Sequence, residues 1–452
     1  MMNTIDIDVV IGGGGVAGSV AAMALQKLGY EVLVVEPGLN DDRRLAGELL
    51  HPPGVAGLAE LGVLDQLMNE PAVEVNGFCI FSRAGKERIK LPYDVVPSHR
   101  MPGLSLDHGI IRERLMQAVR ELPKVTVIDN ARVISVDQNG SSHVIVQVAD
   151  SKSVARYRSH LLVAADGASS SIRRLAGIGV HKRRISTIFG YRVSAANLPE
   201  RDYGFIFLGG RTPILVYPVG GNEVRVMFDI PYDENPRPSP ADCLELTAAL
   251  PPDLRHDVDH AIATQRGASA LIQEVIADRF ISERVALIGD AAVTCHPLTA
   301  TGMTMSITDA LLLRDAIADW PNDLRQALRL HQRRRRWRQV TRLSLAEALR
   351  DVFCGENSEM RLVRRGIMDY WRHSTSGRRA SMALLSTADG RLFTLIHQFV
   401  RVAVHGVVAE VRDPVETAKD KSHGAYHLIR DLLSVLARQL WQVLGKCRAI
   451  WT

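Results

Sequence analysis

Cysteine is scarce and scattered: five in 452 residues (Cys79, Cys243, Cys295, Cys354 and Cys447), an odd number with no C-x-x-C pair. That excludes a disulfide framework and a cysteine-spaced zinc site, and it fits a reducing cytoplasm. The first apolar strand begins within about eight residues, so neither a signal peptide nor an N-terminal membrane anchor is expected. Long uncharged apolar runs are lacking too. None reaches the roughly 18 residues of a spanning helix, so the expectation is a chain that does not cross a bilayer. No nucleic-acid fold motif accompanies the basic residues, which argues against nucleic acid as a partner.

What is present is length, apolar material and an uneven charge. At 452 residues and 46% hydrophobic content the chain can build two or three globular units. The net charge of +5 hides an asymmetry, because residues 331–452 hold 22 Lys and Arg against 11 Asp and Glu. The first 330 residues are therefore acidic on balance, and the basic end reads as a separate surface.

The stretch Asp8-Val9-Val10-Ile11-Gly12-Gly13-Gly14-Gly15-Val16-Ala17-Gly18 organises the rest. An apolar β-branched run enters a glycine turn, an alanine-rich helix follows, and a second apolar run ends on Glu36: one βαβ unit. Gly13, Gly15 and Gly18 fill the G-x-G-x-x-G pattern. The first permits the tight turn, the second the approach of a pyrophosphate, and the third the close packing of helix on strand. Phosphates would sit at the helix N-terminus, at Val16 and Ala17. Glu36, followed by Pro37, is placed to accept ribose hydroxyls and would repel a 2′-phosphate, which favours FAD or NAD over NADP.

Beyond it come Arg43, Arg44 and Glu48. Arginines there either contact FAD ribose or phosphate or lie on a solvated turn. Helices are predicted over 55–61 and 110–121, and Arg112 in the second could reach the flavin phosphates. Strands are predicted over 75–81 and 88–91, and a small inserted meander over 125–128, 132–136, 144–148 and 154–158. The buried strand 161–165 runs into Asp166-Gly167, a turn dipeptide that can aim a carboxylate at a ribityl hydroxyl or an ordered water. Strands over 189–193, 203–208, 214–218 and 223–230 form a separate antiparallel sheet suited to wall a substrate cavity. A proline-rich linker over 231–240 leads into helices to about residue 265. A last buried strand ends in Gly289-Asp290, with Asp290 placed for a ribityl hydroxyl. Pro297, Gly302 and Met303 then open a helix to about residue 318, whose N–H groups face whatever is negative above them.

The expected fold class is α/β: a Rossmann-type FAD-binding domain (1–178 and 276–330), a β-sheet substrate domain (179–275) and a C-terminal helical region (331–452). The three turns, in this order, resemble the single-component FAD-dependent monooxygenases of the para-hydroxybenzoate hydroxylase fold, and among them squalene monooxygenase (squalene epoxidase). Gly47-Glu48-Leu49-Leu50-His51-Pro52-Pro53-Gly54, Val75-Asn76-Gly77, Phe228-Asp229-Ile230 and His296-Pro297-Leu298-Thr299 with Gly302-Met303-Thr304 carry the likeness. It covers about residues 5 to 345 well and the remainder more loosely. Two departures concern the site. Ala300-Thr301 stand where the family has Gly-Gly beside the flavin, and Phe78 stands where it has a tyrosine whose hydroxyl helps hold the active site, so a hydrogen bond is expected to be missing.

The resemblance implies FAD as cofactor, with O2, and with NAD(P)H acting directly or through a reductase. A flavin C4a-hydroperoxide would pass its distal oxygen to a large apolar substrate, epoxidising an isoprenoid alkene or a prenylated aromatic without a metal. An alkene requires no catalytic acid or base. For a phenol-like ring, His51, His108 and Glu48 are weak candidates; Phe78 would be a pocket wall, and His296 would orient the flavin loop. Ring hydroxylation of a quinone- or quinolone-type substrate is the alternative, and a flavin-binding protein that docks on membranes without oxygenating anything is a third reading. A halogenase is disfavoured because Trp-x-Trp-x-Ile-Pro is absent.

From Leu324 the chain reads as helical and basic, with Arg333-Arg334-Arg335-Arg336-Trp337-Arg338, then 392–411 and 428–450. Amphipathic helices of this composition match a surface lying on anionic lipid; the other reading is a helical cap on the core or a dimer contact. The expected location is cytoplasmic with peripheral membrane association.

Overall fold

Three parallel strands, Thr4–Gly12, Val154–Ala164 and Val285–Leu287, lie side by side in the first sheet, and the register sets Gly12 against Ala164 and Ala164 against Leu287. Val32–Glu36 and Val125–Asp129 extend the sheet on the other side of Thr4–Gly12. The structure is a computed structural model that describes residues 3–38, 45, 47–82, 87–138, 142–198, 200–355, 357–412 and 425–451. Val9, Val10 and Ile11 are buried on both faces, as β-branched residues of a covered parallel strand should be. The hairpin Arg132–Asp137 and Val144–Ala149 folds onto Val154–Ala164. That last strand is a single one, where the sequence suggested two.

The second sheet has eight strands, in the order Val293–Thr294, Ala268–Ala277, Val180–Ser194, Glu223–Pro231, Ile214–Gly220, Gly204–Phe207, Gly77–Ser82 and Glu87–Pro92. Two features differ from expectation. Gly77–Ser82 and Glu87–Pro92 belong here rather than with the nucleotide unit, because Gly77–Ser82 pairs in parallel with Gly204–Phe207, a long-range pairing with no local sequence signature. Ala268–Ala277 was not anticipated as a strand, since Ala-Ser-Ala-Leu-Ile-Gln-Glu-Val-Ile-Ala is rich in good helix formers; its pairing along Val180–Ser194 overrides that preference.

Among the described residues five helices close the chain: Leu324–Cys354, Ser358–His373, Thr375–Leu385, Leu392–Arg412 and Ala425–Trp451. The arginine run is split, with Arg333 and Arg334 exposed and Arg336 and Arg338 half-buried. Arg335 is fully buried and Arg342 nearly so, with Val340, Leu343 and Ala346 beside them, so Leu324–Cys354 is a core helix. The apolar-run expectation also needs correction. Leu392–Glu410 is long and apolar enough to cross a membrane by length and composition, at mean hydropathy 1.5, although His397, Arg401 and His405 interrupt it. In this fold it lies on Ser358–His373, with Gly366 and Gly406 in backbone contact where the two cross. Arg365 pairs with Glu410, and Asp369 with His405, across that crossing.

Candidate functional site

Each of the three parallel strands ends in a glycine turn, and the register brings the turns together. Gly13 has φ +101°, and a Cβ on it would lie 2.5 Å from the Ala165 carbonyl oxygen; one on Gly18 would lie 1.8 Å from the Gly13 oxygen. Gly289 has φ +55°, and its Cβ would meet Ala17 Cβ and Ser306 Oγ, each at 2.9 Å. These turns touch at positions only glycine can occupy. Gly15, Gly167 and Gly302 are the opposite case, with nothing within 4 Å of a Cβ. Neither Gly15, at the start of helix Val16–Gln26, nor Thr301, at the start of helix Gly302–Asp319, supplies a side-chain cap. Two neighbouring helix N-termini thus offer unmet N–H groups beside open space, which fits a dinucleotide with its phosphates at the first.

Val16 and Ala17 are buried in the first turn, and Met303 in the other helix. Glu36 is buried and shapes the turn, accepting from the N–H of Gly14 at 2.5 Å and of Gly38 at 2.9 Å; Pro37 beside it is exposed. Arg112 is half-buried one turn before Met116, whose methyl abuts Gly14. Asp290 is exposed just beyond Gly289. Arg44 lies outside the described residues.

Two assignments change. The Asp166 carboxylate accepts from Ser170 Oγ and from the N–H groups of Ser171 and Ile172, at 2.5, 2.8 and 3.1 Å. It caps the helix after the turn, where the sequence suggested a carboxylate aimed at a ribityl hydroxyl or an ordered water. Glu48 is likewise taken, by Arg225 of the second sheet at 2.5 Å. Burial raises the Glu48 carboxyl and Arg225 opposes the rise, so this pair ties the Glu48 loop to the second sheet rather than serving as a general base.

The loop from His296 to Thr301 is held from three directions. His296 Nδ1 accepts from the Leu298 N–H, while Nε2 lies 3.0 Å from Asp229 of the second sheet. Burial pushes the Asp229 carboxyl up, but His296 prevails and holds it below its ordinary value. His51 is fully buried, with Nε2 2.9 Å from the Thr299 carbonyl oxygen and Nδ1 2.6 Å from the Tyr93 hydroxyl. Nε2 must therefore carry the proton and Tyr93 donate to Nδ1. Phe78, which has no hydroxyl to offer, packs against both rings. The third anchor is Arg342, whose Nε donates to Thr301 Oγ1 at 2.9 Å. Ala300 between these anchors has φ +51°, a left-handed conformation that costs roughly 1 kcal/mol for a residue with a Cβ.

Beside the loop lies an apolar cavity. Phe78, Ile80, Leu91 and Ile206 of the second sheet form one wall, Leu298 a corner, and the C-terminal helices the rest, among them Leu345, Phe353 and Trp371.

The family profile of squalene epoxidase matches residues 158–419. The chain belongs to the squalene epoxidase family. Over 417 residues it is 29% identical to squalene epoxidase 3 of Arabidopsis thaliana, covering 89% of this chain and 78% of that one. Against the squalene epoxidase of Aspergillus fumigatus identity is 29% over 383 residues, covering 81% and 79%. Among solved structures, p-nitrophenol 4-monooxygenase from Pseudomonas putida superposes with TM-score 0.72 at 21% identity, over 85% of this chain and 99% of that one. An anhydrotetracycline hydroxylase from Streptomyces rimosus gives 0.67 at 19%, over 85% and 76%. These two share the fold. The chain is an FAD-dependent monooxygenase.

In this squalene epoxidase family member Tyr93, Arg225, Arg335 and Arg342 escaped sequence reasoning. No local pattern marks a tyrosine or arginine whose partner is 26 to 177 residues away. His51 yields a pH prediction. Burial pushes it down to about 4, against the Thr299 hydrogen bond, which favours the protonated form. Unfolded, it titrates near 6.5. The stability from neutral His51 is therefore whole above pH 6.5 and is lost as pH falls toward 4, by about 3 kcal/mol over that window. Denaturation midpoints from pH 7.5 to 4.5 should fall less steeply for His51→Gln than for wild type; parallel profiles would contradict the assignment.

Proposed function

We propose that the enzyme epoxidises an isoprenoid alkene, drawing the substrate from a membrane surface. The observation that carries this reading is the cavity wall. Among the described residues no ionisable side chain lines it; Ser381, Gln398 and Gln439 are its polar members apart from the Trp371 indole. A phenolate or carboxylate substrate would find no countercharge there, whereas an alkene needs only apolar contact and exclusion of water. The acid–base candidates agree: both His51 nitrogens are engaged, the Glu48 carboxylate is held by Arg225, and His108 Nδ1 lies 2.9 Å from the Gly47 carbonyl oxygen.

Gly13, Gly15, Gly18, Glu36, Arg112, Gly167, Asp290 and Gly302 are the residues proposed to hold FAD. Bound FAD, reduced by NAD(P)H directly or through a reductase, supplies the activated oxygen from O2. The chain's own part is orientation and dryness: His51, His296 and Arg342 fix the loop at the cavity corner, and Leu298 and Phe78 present an apolar surface beside it. The cavity encloses about 90 Å³, below the roughly 300–1,000 Å³ of ligand sites. A long isoprenoid therefore enters by parting side chains of the sheet from those of the C-terminal helices.

Those helices also support the membrane reading. Phe393, Val400 and Val404 are exposed on one helix and Trp441 and Leu444 on the last, with Phe393 79% and Trp441 64% exposed, and Arg448 lies over the Trp441 ring. Aromatic and aliphatic residues with arginine at one surface suit a lipid interface. The test supplies squalene, shorter isoprenoids and prenylated aromatics in anionic vesicles with FAD, NADPH and a flavoprotein reductase, and measures products by mass spectrometry. A mass gain of one oxygen on an alkene is expected. Peroxide release alone, across the whole panel, would sink the reading.

A further inference from the structure

Arg342 is 7% exposed, and its hydrogen bonds go to neutral oxygens: Nε to Thr301 Oγ1 at 2.9 Å and Nη1 to Gln339 Oε1 at 3.2 Å. It pairs with no carboxylate among the described residues. The buried acids on the neighbouring elements are already engaged, Asp229 by His296 and Asp309 by Arg335. A buried guanidinium without a counter-ion is costly. Here it is tied to the first residue of an uncapped helix N-terminus, where the field is already positive. Gln339 Nε2, buried beside it, also lacks a partner among the described residues. Two positive features converging on one loop, with open space over Gly302, call for negative charge above that loop.

We propose that Arg342 is a positioning residue for the flavin: it holds Thr301 and sets a buried positive charge behind the loop, so that reduced FAD is bound more tightly than oxidised FAD. The assignment rests on the FAD reading above. Two electrons and one proton turn the neutral isoalloxazine into a ring bearing one negative charge on its pyrimidine side, and that charge is what the guanidinium and the Gly302 helix favour. Thr301 is one of the two residues where this chain departs from the family's Gly-Gly, so the anchor belongs to the departure. Leu345 and Leu349, on the same helix as Arg342, line the cavity, which puts the substrate wall and the flavin anchor on one rigid element.

The test is the reduction potential of bound FAD in the full-length protein, measured with the dissociation constant for oxidised FAD. Arg342→Leu should lower the preference for reduced over oxidised FAD about tenfold, a drop of about 30 mV for the two-electron couple. Arg342→Lys, which keeps the charge, should stay within about threefold of wild type. A merely structural role would weaken both oxidation states alike and leave the potential unmoved; that result overturns the proposal. If Arg342→Leu does not fold, Thr301→Val decides. It removes the hydroxyl that holds the guanidinium and meets Thr299 Oγ1 at 3.0 Å, and should lower the preference for reduced over oxidised FAD by about threefold; an unchanged potential there overturns the proposal too. Wild-type protein that takes up no FAD would instead remove the cofactor reading beneath it.

Discussion

Gly15→Val should abolish FAD binding and leave the apoprotein folded. Gly15 has φ −69°, and nothing lies within 4 Å of a Cβ placed on it, so the fold accepts the side chain. The cost is confined to a poorer helix N-cap, at most about 1 kcal/mol. The space the isopropyl group fills is where a pyrophosphate must approach the N–H groups of the Val16 helix. The dissociation constant for FAD should rise on the order of 100-fold or more, about 3 kcal/mol, in a titration followed by quenching of flavin fluorescence. Gly18→Ala makes the contrast. Its methyl would stand 1.8 Å from the Gly13 carbonyl oxygen, so stability and FAD binding should fall together. Wild-type affinity in Gly15→Val would show that the first turn does not hold the cofactor.

Arg335→Met should cost about 3–5 kcal/mol of folding stability, because it strands a buried carboxylate. Arg335 and Asp309 are both fully buried and paired. Arg335 Nε donates to Asp309 Oδ1 at 2.7 Å and Nη1 to the Leu287 carbonyl at 2.5 Å, while the guanidinium lies 4.6 Å from the Phe280 ring centroid. The same Asp309 accepts from the N–H of Gly289 at 3.1 Å. The pair therefore supports the third glycine turn directly, and FAD affinity should weaken with stability. Adding Asp309→Leu removes the stranded charge and should restore most of the stability, since an apolar pair often replaces a buried ion pair without loss. It leaves the Gly289 N–H without its acceptor, so FAD affinity should not recover. Urea denaturation and FAD titration of both variants check this; a single variant losing under about 1 kcal/mol would show that water reaches the pair.

The parts of the site legible in sequence are those built by one local element. Gly12 to Gly18 with Val32 to Glu36 declares a strand, a turn and a helix within 30 residues, and Gly289-Asp290 with Gly302-Met303 repeats the logic. The direction of Asp166 is not legible in sequence, because a turn acid can point outward or back at its own helix, and only backbone geometry chooses. The arginine run misled for a related reason. Charge on a helix is ordinarily solvated, and nothing near Arg335 or Arg342 in sequence announces Asp309 or Thr301. Gly77–Ser82 joined the other sheet by pairing with a strand more than 100 residues away.

By itself the sequence determined the FAD turn, the Asp-Gly and Gly-Asp turns, the α/β class and the family likeness, because glycine geometry and strand and helix periodicity act over a few residues. Only the tertiary structure decided that the three turns touch, that Tyr93 reaches His51, that the basic end walls an apolar cavity, and that Arg342 reaches Thr301. Those are long-range contacts. They depend on which faces pack and which charges are buried together, and residue order does not encode that locally.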